Sequence, residues 1–255
     1  RDSYLAKLTS SALSERYTAS KALGSFMSMS DKVRQALLTK VEDVDEHIYV
    51  RLEAAASLAR HNEDQGWAFI KQCLEGEYLQ NRLEAVIVLG EIPASTSLEL
   101  LSAVLADTDQ DPEIRAGAAW ALGELGDGEA LEALINSFAD VDEDLRAEAA
   151  RALAKLASQF TPKILNQFSQ SDPTKRPGIA WALSKAGKVK VEDLLDKLVD
   201  DDARHWVAYV LGTQNQQRYL KNIEKLKERD PEVYFAVTVL WKIMSSWVYR
   251  LEEYG

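Results

Sequence analysis

A nine-residue pattern recurs along this chain and constrains its fold more than any other feature. It reads Arg, two variable residues, Ala, a small residue, a variable residue, a small residue, Leu, and then Gly or another small residue. The copies begin at Arg16, Arg51, Arg82, Arg115, Arg146, Arg176, Arg204 and, in degenerate form, Val233. They are 28 to 35 residues apart, a spacing typical of helix-turn-helix repeats. The sequence therefore predicts a single all-α solenoid over residues 1–255, a right-handed α-α superhelix of about eight helical hairpins.

Positions in the pattern fall on different faces of a helix. With the arginine as position 0 and a turn of about 100° per residue, positions 0, 3, 4, 6 and 7 lie on one side. Position 7 is Leu in every copy, and position 3 is Ala in six. Small residues allow close helix packing, and Leu fills the space between layers. Each copy is thus predicted to be the second helix of a hairpin. The predicted first helices span 32–41, 66–74, 97–105, 129–138, 162–168, 191–198 and 219–227.

Capping residues are expected at the helix ends. Asp111, Asp172 and Asp230 each precede a proline, which predicts an N-cap acceptor before the first helical residue. Glycines near the predicted C-termini favour left-handed caps, and they are Gly24, Gly90, Gly123, Gly126, Gly187 and Gly212. The position 0 arginines are expected to pair with the acidic turns of adjacent repeats, as a ladder between layers.

Composition disfavours nucleic acid and membrane as partners. The net charge is −11, with 41 acidic against 30 basic residues, whereas nucleic-acid binders need clustered Lys and Arg to neutralise phosphate. No stretch of 18 residues is free of charge, so no membrane span is predicted. Cys73 is the single cysteine. A chain with one cysteine forms no internal disulfide, and we predict a cytoplasmic protein.

The sequence contains no recognisable catalytic constellation. His47, His61 and His205 lie in different repeats, without the one-turn spacing that helical metal ligands need. The glycines between 122 and 128 follow a helix rather than a strand, which indicates a helix end rather than a phosphate-binding loop. We therefore predict no catalytic residue, no metal and no cofactor, and favour a protein that is not an enzyme.

Two segments resemble a known repeat. The strings are PEIRAGAAWALGELGD at residues 112–127 and DLRAEAARALA at residues 144–154, and they resemble the HEAT-like repeat named after the phycobilisome lyases. The resemblance covers roughly residues 14–244. It implies that the second helices line a concave face. It implies no single activity, because this repeat occurs in lyases, scaffolds, regulators and DNA-repair relatives.

Positions 1, 2 and 5 point away from the core, yet many of them are not polar. We predict that they form a partner-binding concave face made of Trp120, Trp181, Trp206, Tyr209, His205, Phe235, Tyr234, Ile87, Leu83, Glu84, Glu148 and Arg151. Exposed aromatic patches mark interaction sites. The alternative is that these rings pack into the core between repeats. Gly117 and Gly178 each precede a Trp by three residues and are expected to leave room beside its indole.

The last repeat is unusually apolar for the end of a solenoid, where a polar face is normally exposed. Trp241, Met244 and Trp247 follow the last copy of the pattern. Either a further helix covers this segment, or it docks a partner. We predict a C-terminal docking site at these three residues.

Two functions fit these observations. The first is a non-enzymatic adaptor that binds a peptide or helix with apolar and basic residues, since the predicted face carries Glu53, Glu84 and Glu148. The second is a bilin lyase or chromophore chaperone, in which the aromatic face holds a linear tetrapyrrole by stacking. Arg16-Tyr17 resembles the opening repeat of such lyases, but Lys21-Ala22 stand where that motif has two aromatic residues. The sequence does not specify an oligomeric state.

Overall fold

The computed structural model describes residues 1–186, 194, 197, 203–213, 216–235 and 237–238. The chain divides into two compact units, Arg1–Leu125 and Gly126–Gly255. Both units are built from helices joined by short turns, and the described residues contain no strand. The predicted all-α fold is confirmed, while a single solenoid running through residues 1–255 stays a prediction.

The first unit contains helices α1 to α8. In chain order they are Asp2–Lys7, Leu13–Gly24, Asp31–Glu42, Ile48–Ala59, Asp64–Leu74, Leu79–Gly90, Ser95–Ala106 and Pro112–Leu125. The pattern lies in α2, α4, α6 and α8, and the predicted first helices are α3, α5 and α7. Each second helix packs on the next one, and α3 and α7 also pack on the second helices that follow them. The predicted hairpins are therefore present in this unit.

The second unit continues the alternation in its described residues. Its helices are α9 (Leu131–Asn136), α10 (Glu143–Gln170), α11 (Arg176–Lys185), α12 (Arg204–Thr213) and α13 (Gln216–Arg229). Short 3₁₀ turns, Gly128–Ala130 and Ser137–Ala139, flank α9.

Two details of the second unit follow from its sequence. Phe160 has non-helical dihedrals (φ −116°, ψ 21°) that break α10, so Pro162 stands near the start of a new helix, where its missing N–H is tolerated. This break separates the second helix begun at Glu143 from the predicted first helix 162–168. The predicted first helix 191–198 lies almost wholly outside the described residues, and 231–235 are helical at the last copy of the pattern.

The core is formed by the residues that the pattern shares. The position 7 leucines of the first seven copies are all buried, and they are Leu23, Leu58, Leu89, Leu122, Leu153, Leu183 and Leu211. Neighbouring second helices meet through small residues. A methyl group on Gly24 would overlap the side chain of Ser57, and one on Gly90 would lie 3.0 Å from the Cβ of Ala121. The buried hydroxyl of Ser57 donates a hydrogen bond to the carbonyl of Ser20 at 2.7 Å.

Most of the predicted glycine caps are wrong. Among the described glycines, only Gly126 has a positive φ, 71°, as a left-handed cap requires. Gly24 and Gly90 are the last residues of α2 and α6. Gly123 and Gly212 lie within helices, and Gly187 lies outside the described residues. At Gly24 and Gly90 the absent side chain serves the close approach of the next helix, not a backbone reversal.

The predicted aspartate caps are correct at two of three sites. Asp111 accepts from the amide of Glu113 at 2.9 Å and Asp230 from that of Val233 at 3.1 Å, each at the start of a helix. Asp172 instead accepts from the amide and hydroxyl of Thr174 and shapes a turn before α11. Helix α11 begins only at Arg176, so Pro173 is not its first residue.

The first repeat arginine binds the next repeat as expected. Nε of Arg16 donates to both carboxylate oxygens of Glu46 at 2.9 and 3.1 Å, and Nη2 donates at 2.9 Å. Lys40 donates to the same carboxylate at 2.8 Å, as does the amide of His47. Burial alone would raise the pKa of Glu46, but these hydrogen bonds outweigh it and hold the pKa at about 2.

The other repeat arginines also form hydrogen bonds that the expected acidic ladder did not include. Three repeat arginines donate to backbone carbonyls at the end of their own first helix. The bonds are Arg51 Nε to Val41 O at 3.0 Å, Arg115 Nε to Leu105 O at 3.0 Å and Arg146 Nη1 to Asp140 O at 2.7 Å. Arg82 donates to the neutral amide of Gln110 at 2.7 Å. A cation there satisfies carbonyls that lack a helical partner and complements the negative end of the helix.

No helix in the described ranges combines the length and the low charge that a membrane span needs.

Replacing Gly24 by Ala should destabilise the first unit. The added methyl group overlaps Ser57 in the next helix, and overpacking of this kind costs about 1–3 kcal/mol. Gly117→Ala is the matched control, because a methyl group there meets Val86 and Leu83 at ordinary distances of 3.5 and 3.7 Å. Thermal unfolding followed by circular dichroism should show a lower midpoint for Gly24→Ala only. Equal midpoints would contradict the close-contact account.

Replacing Glu46 by Gln should lower stability at neutral pH and lower it less in acid. Because the folded-state pKa lies below the ordinary value of 4.5, the stabilisation is present above pH 4.5 and is lost as the pH falls towards 2. We expect the free energy of unfolding to fall by about 2 kcal/mol at pH 7, a value between those typical of exposed and of fully buried ion pairs. Urea unfolding at pH 7 and pH 3 measures the difference, with exposed Glu42→Gln as the control. A pH-independent difference would argue against the assigned pairing.

Candidate functional site

An open groove of about 560 Å³ lies on the second unit. Its lining residues come from the start of α10, from α11 and the turn before it, and from the 3₁₀ turn after α9. They are Phe138, Arg146, Ala147, Ala150, Arg151, Thr174, Pro177, Gly178 and Trp181. Among them are positions 1 and 5 of the repeat at Arg146 and positions 1, 2 and 5 of the repeat at Arg176. Two of the predicted site residues, Trp181 and Arg151, are therefore brought to one groove.

Phe138 and Gly178 shape this groove. Phe138 is buried, and a methyl group on Gly178 would come within 2.6 Å of its ring. The absent side chain therefore lets α11 lie directly against the ring. We expected both Gly117 and Gly178 to leave room beside an indole, and this is wrong at Gly117. At Gly178 the aromatic neighbour is Phe138, and at Gly117 the neighbours are the aliphatic Val86 and Leu83.

The groove carries aromatic and cationic groups. Trp181 is half-buried, and the ammonium of Lys185 lies 5.6 Å from its ring centroid. Arg151 is 62% exposed and pairs with Glu148 at 2.8 Å. Because this pair neutralises Glu148, the negative character expected of that residue is absent here. The groove can therefore take an apolar side chain, and the exposed guanidinium of Arg151 can donate hydrogen bonds to the backbone of a bound segment.

The other predicted aromatics of the second unit lie on α12 and in the segment after α13. His205 is exposed, and Trp206 and Tyr209 are half-buried. The ring centroids of His205 and Trp206 are 4.6 Å apart. Burial, and then the charge of Arg176, lowers the pKa of His205. Tyr234 is half-buried and Phe235 is 70% exposed. Trp241, Met244 and Trp247 lie outside the described residues.

The predicted site residues of the first unit form an apolar strip and a charged cluster. The strip consists of Leu83 and Ile87 on α6 and Trp120 on α8, two helices that pack together. Leu83 and Trp120 are half-buried, and Ile87 is 41% exposed. Trp120 and Trp181 are thus neither fully buried nor fully exposed. Their role in binding stays a proposal.

The charged cluster, here named the Glu84 cluster, comprises Lys21, Glu53, Arg60, Glu84 and Glu91. Glu53 is fully buried, and its Oε1 pairs with Arg60 Nη1 at 3.2 Å. Glu91 Oε2 binds both cations, with Lys21 Nζ at 2.6 Å and Arg60 Nη2 at 3.2 Å. Lys21 Nζ lies 3.9 Å from Glu53 Oε2, and Glu53 also has a side-chain hydrogen bond with Tyr17. The two cations are therefore committed mainly to Glu91 and to one oxygen of Glu53.

Glu84 is the carboxylate that these cations do not neutralise. Burial, and then the charges of Glu53 and Glu91, raises the pKa of Glu84, with only partial compensation from Lys21. The neighbouring Tyr17 experiences the same negative electrostatic potential. Its pKa is raised by burial, then by the charges of Glu53, Glu84 and Glu91, and also by a hydrogen bond from its hydroxyl to Glu53. Together these shifts indicate a local excess of negative charge on α2, α4 and α6.

Sequence reasoning found only part of this cluster. Glu53 and Glu84 occupy position 2 of their repeats, but Arg60 and Glu91 occupy position 9, one residue beyond the pattern. Seven residues are two helical turns, so position 9 lies on the same face as position 2. Extending the pattern by one residue would have found both. Phe138 had no such signal, because it lies in the preceding element.

The described residues offer little for metal or thiol chemistry. Within the described ranges, no three His, Cys, Asp or Glu side chains are placed to hold a metal ion together. Burial raises the pKa of Cys73 to about 11, against a smaller opposing effect of Arg51. The thiol is therefore protonated at neutral pH, whereas nucleophilic attack requires the thiolate.

Comparison with known families identifies the repeats. The family model of HEAT repeats matches residues 68–154 and 131–213, which together span more than half of the chain. The chain belongs to the HEAT-repeat family. This membership confirms the predicted HEAT-like helical-repeat architecture. No curated protein sequence matches the chain.

Several solved structures are similar to this HEAT-repeat protein at low sequence identity. An engineered protein is 20% identical, with a TM-score of 0.39, over 88% of this chain and 71% of its own. Human deoxyhypusine hydroxylase in complex with glycerol is 18% identical, with a TM-score of 0.36, over 82% and 96%. The complex of CpcE and CpcF of phycocyanin lyase from Nostoc sp. PCC7120 is 20% identical, with a TM-score of 0.39, over 94% and 92%.

Replacing Glu84 by Gln should stabilise the unbound protein at neutral pH. Because the folded-state pKa is raised, the fold loses stability as the pH rises from the ordinary value through the raised one. The neutral amide avoids that loss. We expect a melting midpoint about 1–2 °C higher at pH 7, the size of a partly screened charge effect in a chain of this length. At pH 4 the midpoints should coincide. A lower midpoint at pH 7 would show that Glu84 is already neutralised by a cation.

Proposed function

We propose that this HEAT-repeat protein is a non-enzymatic scaffold that binds a protein partner through positions 1, 2 and 5 of its second helices other than α4, where these positions are buried. The groove beside Trp181 carries the proposal. It combines the half-buried indole of Trp181 with the buried ring of Phe138, against which Gly178 lets α11 pack. Large aromatic side chains beside a pocket are the usual anchors of protein interfaces. The same positions in the first unit contribute the apolar strip of Leu83, Ile87 and Trp120.

The partner is proposed to be a peptide segment or helix with apolar and basic residues. A large apolar side chain would enter the groove beside Trp181, where burial of its surface supplies most of the binding free energy. Arg151 would bind a backbone carbonyl of that segment. Basic residues of the partner would face the negative Glu84 cluster of the first unit. The single cysteine fits a reducing compartment, and we place this scaffold in the cytoplasm.

The test compares two half-buried tryptophans, one on the proposed surface and one outside it. Tagged wild-type protein, Trp181→Ala and Trp67→Ala are used to capture partners from the source cells. The captured protein is then purified, and its dissociation constant is measured with each variant. Trp67 is half-buried on α5, which is the first helix of its hairpin. It lies outside the proposed surface. We expect Trp181→Ala to weaken binding about tenfold or more and Trp67→Ala to change it less than twofold.

Two results would contradict the proposal. One is a partner that binds wild type and Trp181→Ala equally. The other is a loss of binding that follows a large drop in melting temperature, because Trp181 would then serve the core between repeats. Trp120→Ala, measured in the same way, tests whether the apolar strip of the first unit takes part.

A further inference from the structure

Positive charge surrounds one end of the groove beside Trp181. Helices α10 and α11 pack together and carry the repeat pattern, in which Arg151 and Trp181 both occupy position 5. Lys185 follows Trp181 by four residues, about one helical turn, and its ammonium lies 5.6 Å from the indole centroid. Arg151 and Lys185 therefore border the same end of the groove, which is here named the cationic end.

Acidic residues do not balance the charge of this end. Glu148 pairs with Arg151 at 2.8 Å, but within the described ranges no carboxylate pairs with Lys185. Helix α11 contains no acidic residue between Arg176 and Lys185. The described residues that line the groove include none either. In a chain with a net charge of −11, the groove is thus a local region of net positive charge.

The rest of the groove is apolar. Ala147 and Ala150 on α10 and Pro177 on α11 have no polar side-chain atom, and the buried ring of Phe138 lies against Gly178. The groove has a volume of about 560 Å³, within the range of pockets that enclose organic ligands. A bound segment can therefore place one large apolar side chain here, and its next residues then lie beside the cationic end.

A carboxylate fits the cationic end better than a basic or neutral group. Ammonium and guanidinium groups donate their strongest hydrogen bonds to carboxylates, whereas a basic side chain would be repelled. Glu148 engages only Nη1 of Arg151, so this 62% exposed guanidinium has further N–H groups for a second acceptor. Lys185 is exposed and can reach an incoming carboxylate. A small free anion would leave the apolar part of the groove unfilled.

We propose that the groove beside Trp181 binds a peptide segment of the partner in which a large apolar side chain has an aspartate or glutamate within two residues. This rests on the proposed scaffold function and specifies which segment enters this groove. The apolar side chain packs against Trp181, and the carboxylate accepts hydrogen bonds from Lys185 and Arg151. The basic residues proposed for the partner belong to other segments, which face the first unit.

A peptide selection on the full chain tests this sequence requirement. A displayed library of random peptides is selected on the wild-type protein, and peptides that also bind Trp181→Ala are discarded. We expect the remaining peptides to share a large apolar residue with Asp or Glu within two positions. Peptides that depend on Trp181 but lack acidic residues, or are rich in Lys and Arg, would overturn this inference and keep the scaffold function. A selection without any peptide that depends on Trp181 would refute both.

Charge variants test the two cations directly. The most enriched acidic peptide is synthesised, together with a form in which Gln replaces its acidic residue. Lys185→Gln should weaken binding of the acidic peptide about threefold, Arg151→Gln should act in the same direction, and neither should affect the Gln form. Lys163→Gln is the matched control, because its ammonium also lies 5.6 Å from a ring centroid, that of Phe160, but outside the groove. It should leave binding unchanged.

Three results would contradict the carboxylate contact. The first is equal affinity of the wild-type protein for both peptides. The second is an equal loss in Lys185→Gln and Lys163→Gln. The third is an affinity for the acidic peptide that falls no more steeply with added salt than that of the Gln form, since charge pairs at the surface are screened.

A second copy of this chain is the other possible occupant of the groove. Sedimentation of the wild-type protein, with and without the acidic peptide, distinguishes it from a partner. We expect no association that depends on Trp181. Self-association that is abolished both by Trp181→Ala and by the acidic peptide would assign the groove to a second copy and overturn the inference.

Discussion

Close packing between neighbouring second helices determines the rest of this structure. In the first unit, Gly24 lies against Ser57 and Gly90 against Ala121, at distances that leave no space for a larger side chain. The hydroxyl of Ser57 bonds to a backbone carbonyl of the preceding second helix, so the contact satisfies a buried polar group as well as excluding water. Each repeat can bury its apolar face only against its neighbours, and these contacts set how the neighbours fit.

That packing also decides which side chains remain available. Because positions 3, 4, 6 and 7 are used between helices, positions 1, 2 and 5 are left at least partly accessible in α6, α8, α10 and α11, whereas in α4 they are buried too, as Leu52, Glu53 and Ala56. In the second unit they line a groove with Trp181 and the exposed Arg151. In the first unit they carry an apolar strip and the negative Glu84 cluster.

The sequence predicted the helices and their buried faces, because these follow from periodicity. The position 7 leucines and the hairpins of the first unit are examples. The sequence did not predict contacts in which a side chain binds a backbone group or a residue far away along the chain. Arg51 and Arg115 bind carbonyls, which no side-chain pattern reveals. Gly178 is required by Phe138, a residue 40 positions earlier that only the packed structure brings close. Arg60 and Glu91 lay one residue beyond the pattern, so the charge balance of Glu84 went unrecognised.

The central claim is that positions 1, 2 and 5 of the second helices form the partner-binding surface. Oxidative footprinting of the intact protein, free and saturated with its partner, tests this most directly by comparing the reactivity of Trp181 and Trp67. The account predicts that both indoles react in the free protein and that only Trp181 becomes protected in the complex. A Trp181 that is inert in the free protein, or equally reactive in both states, would contradict it.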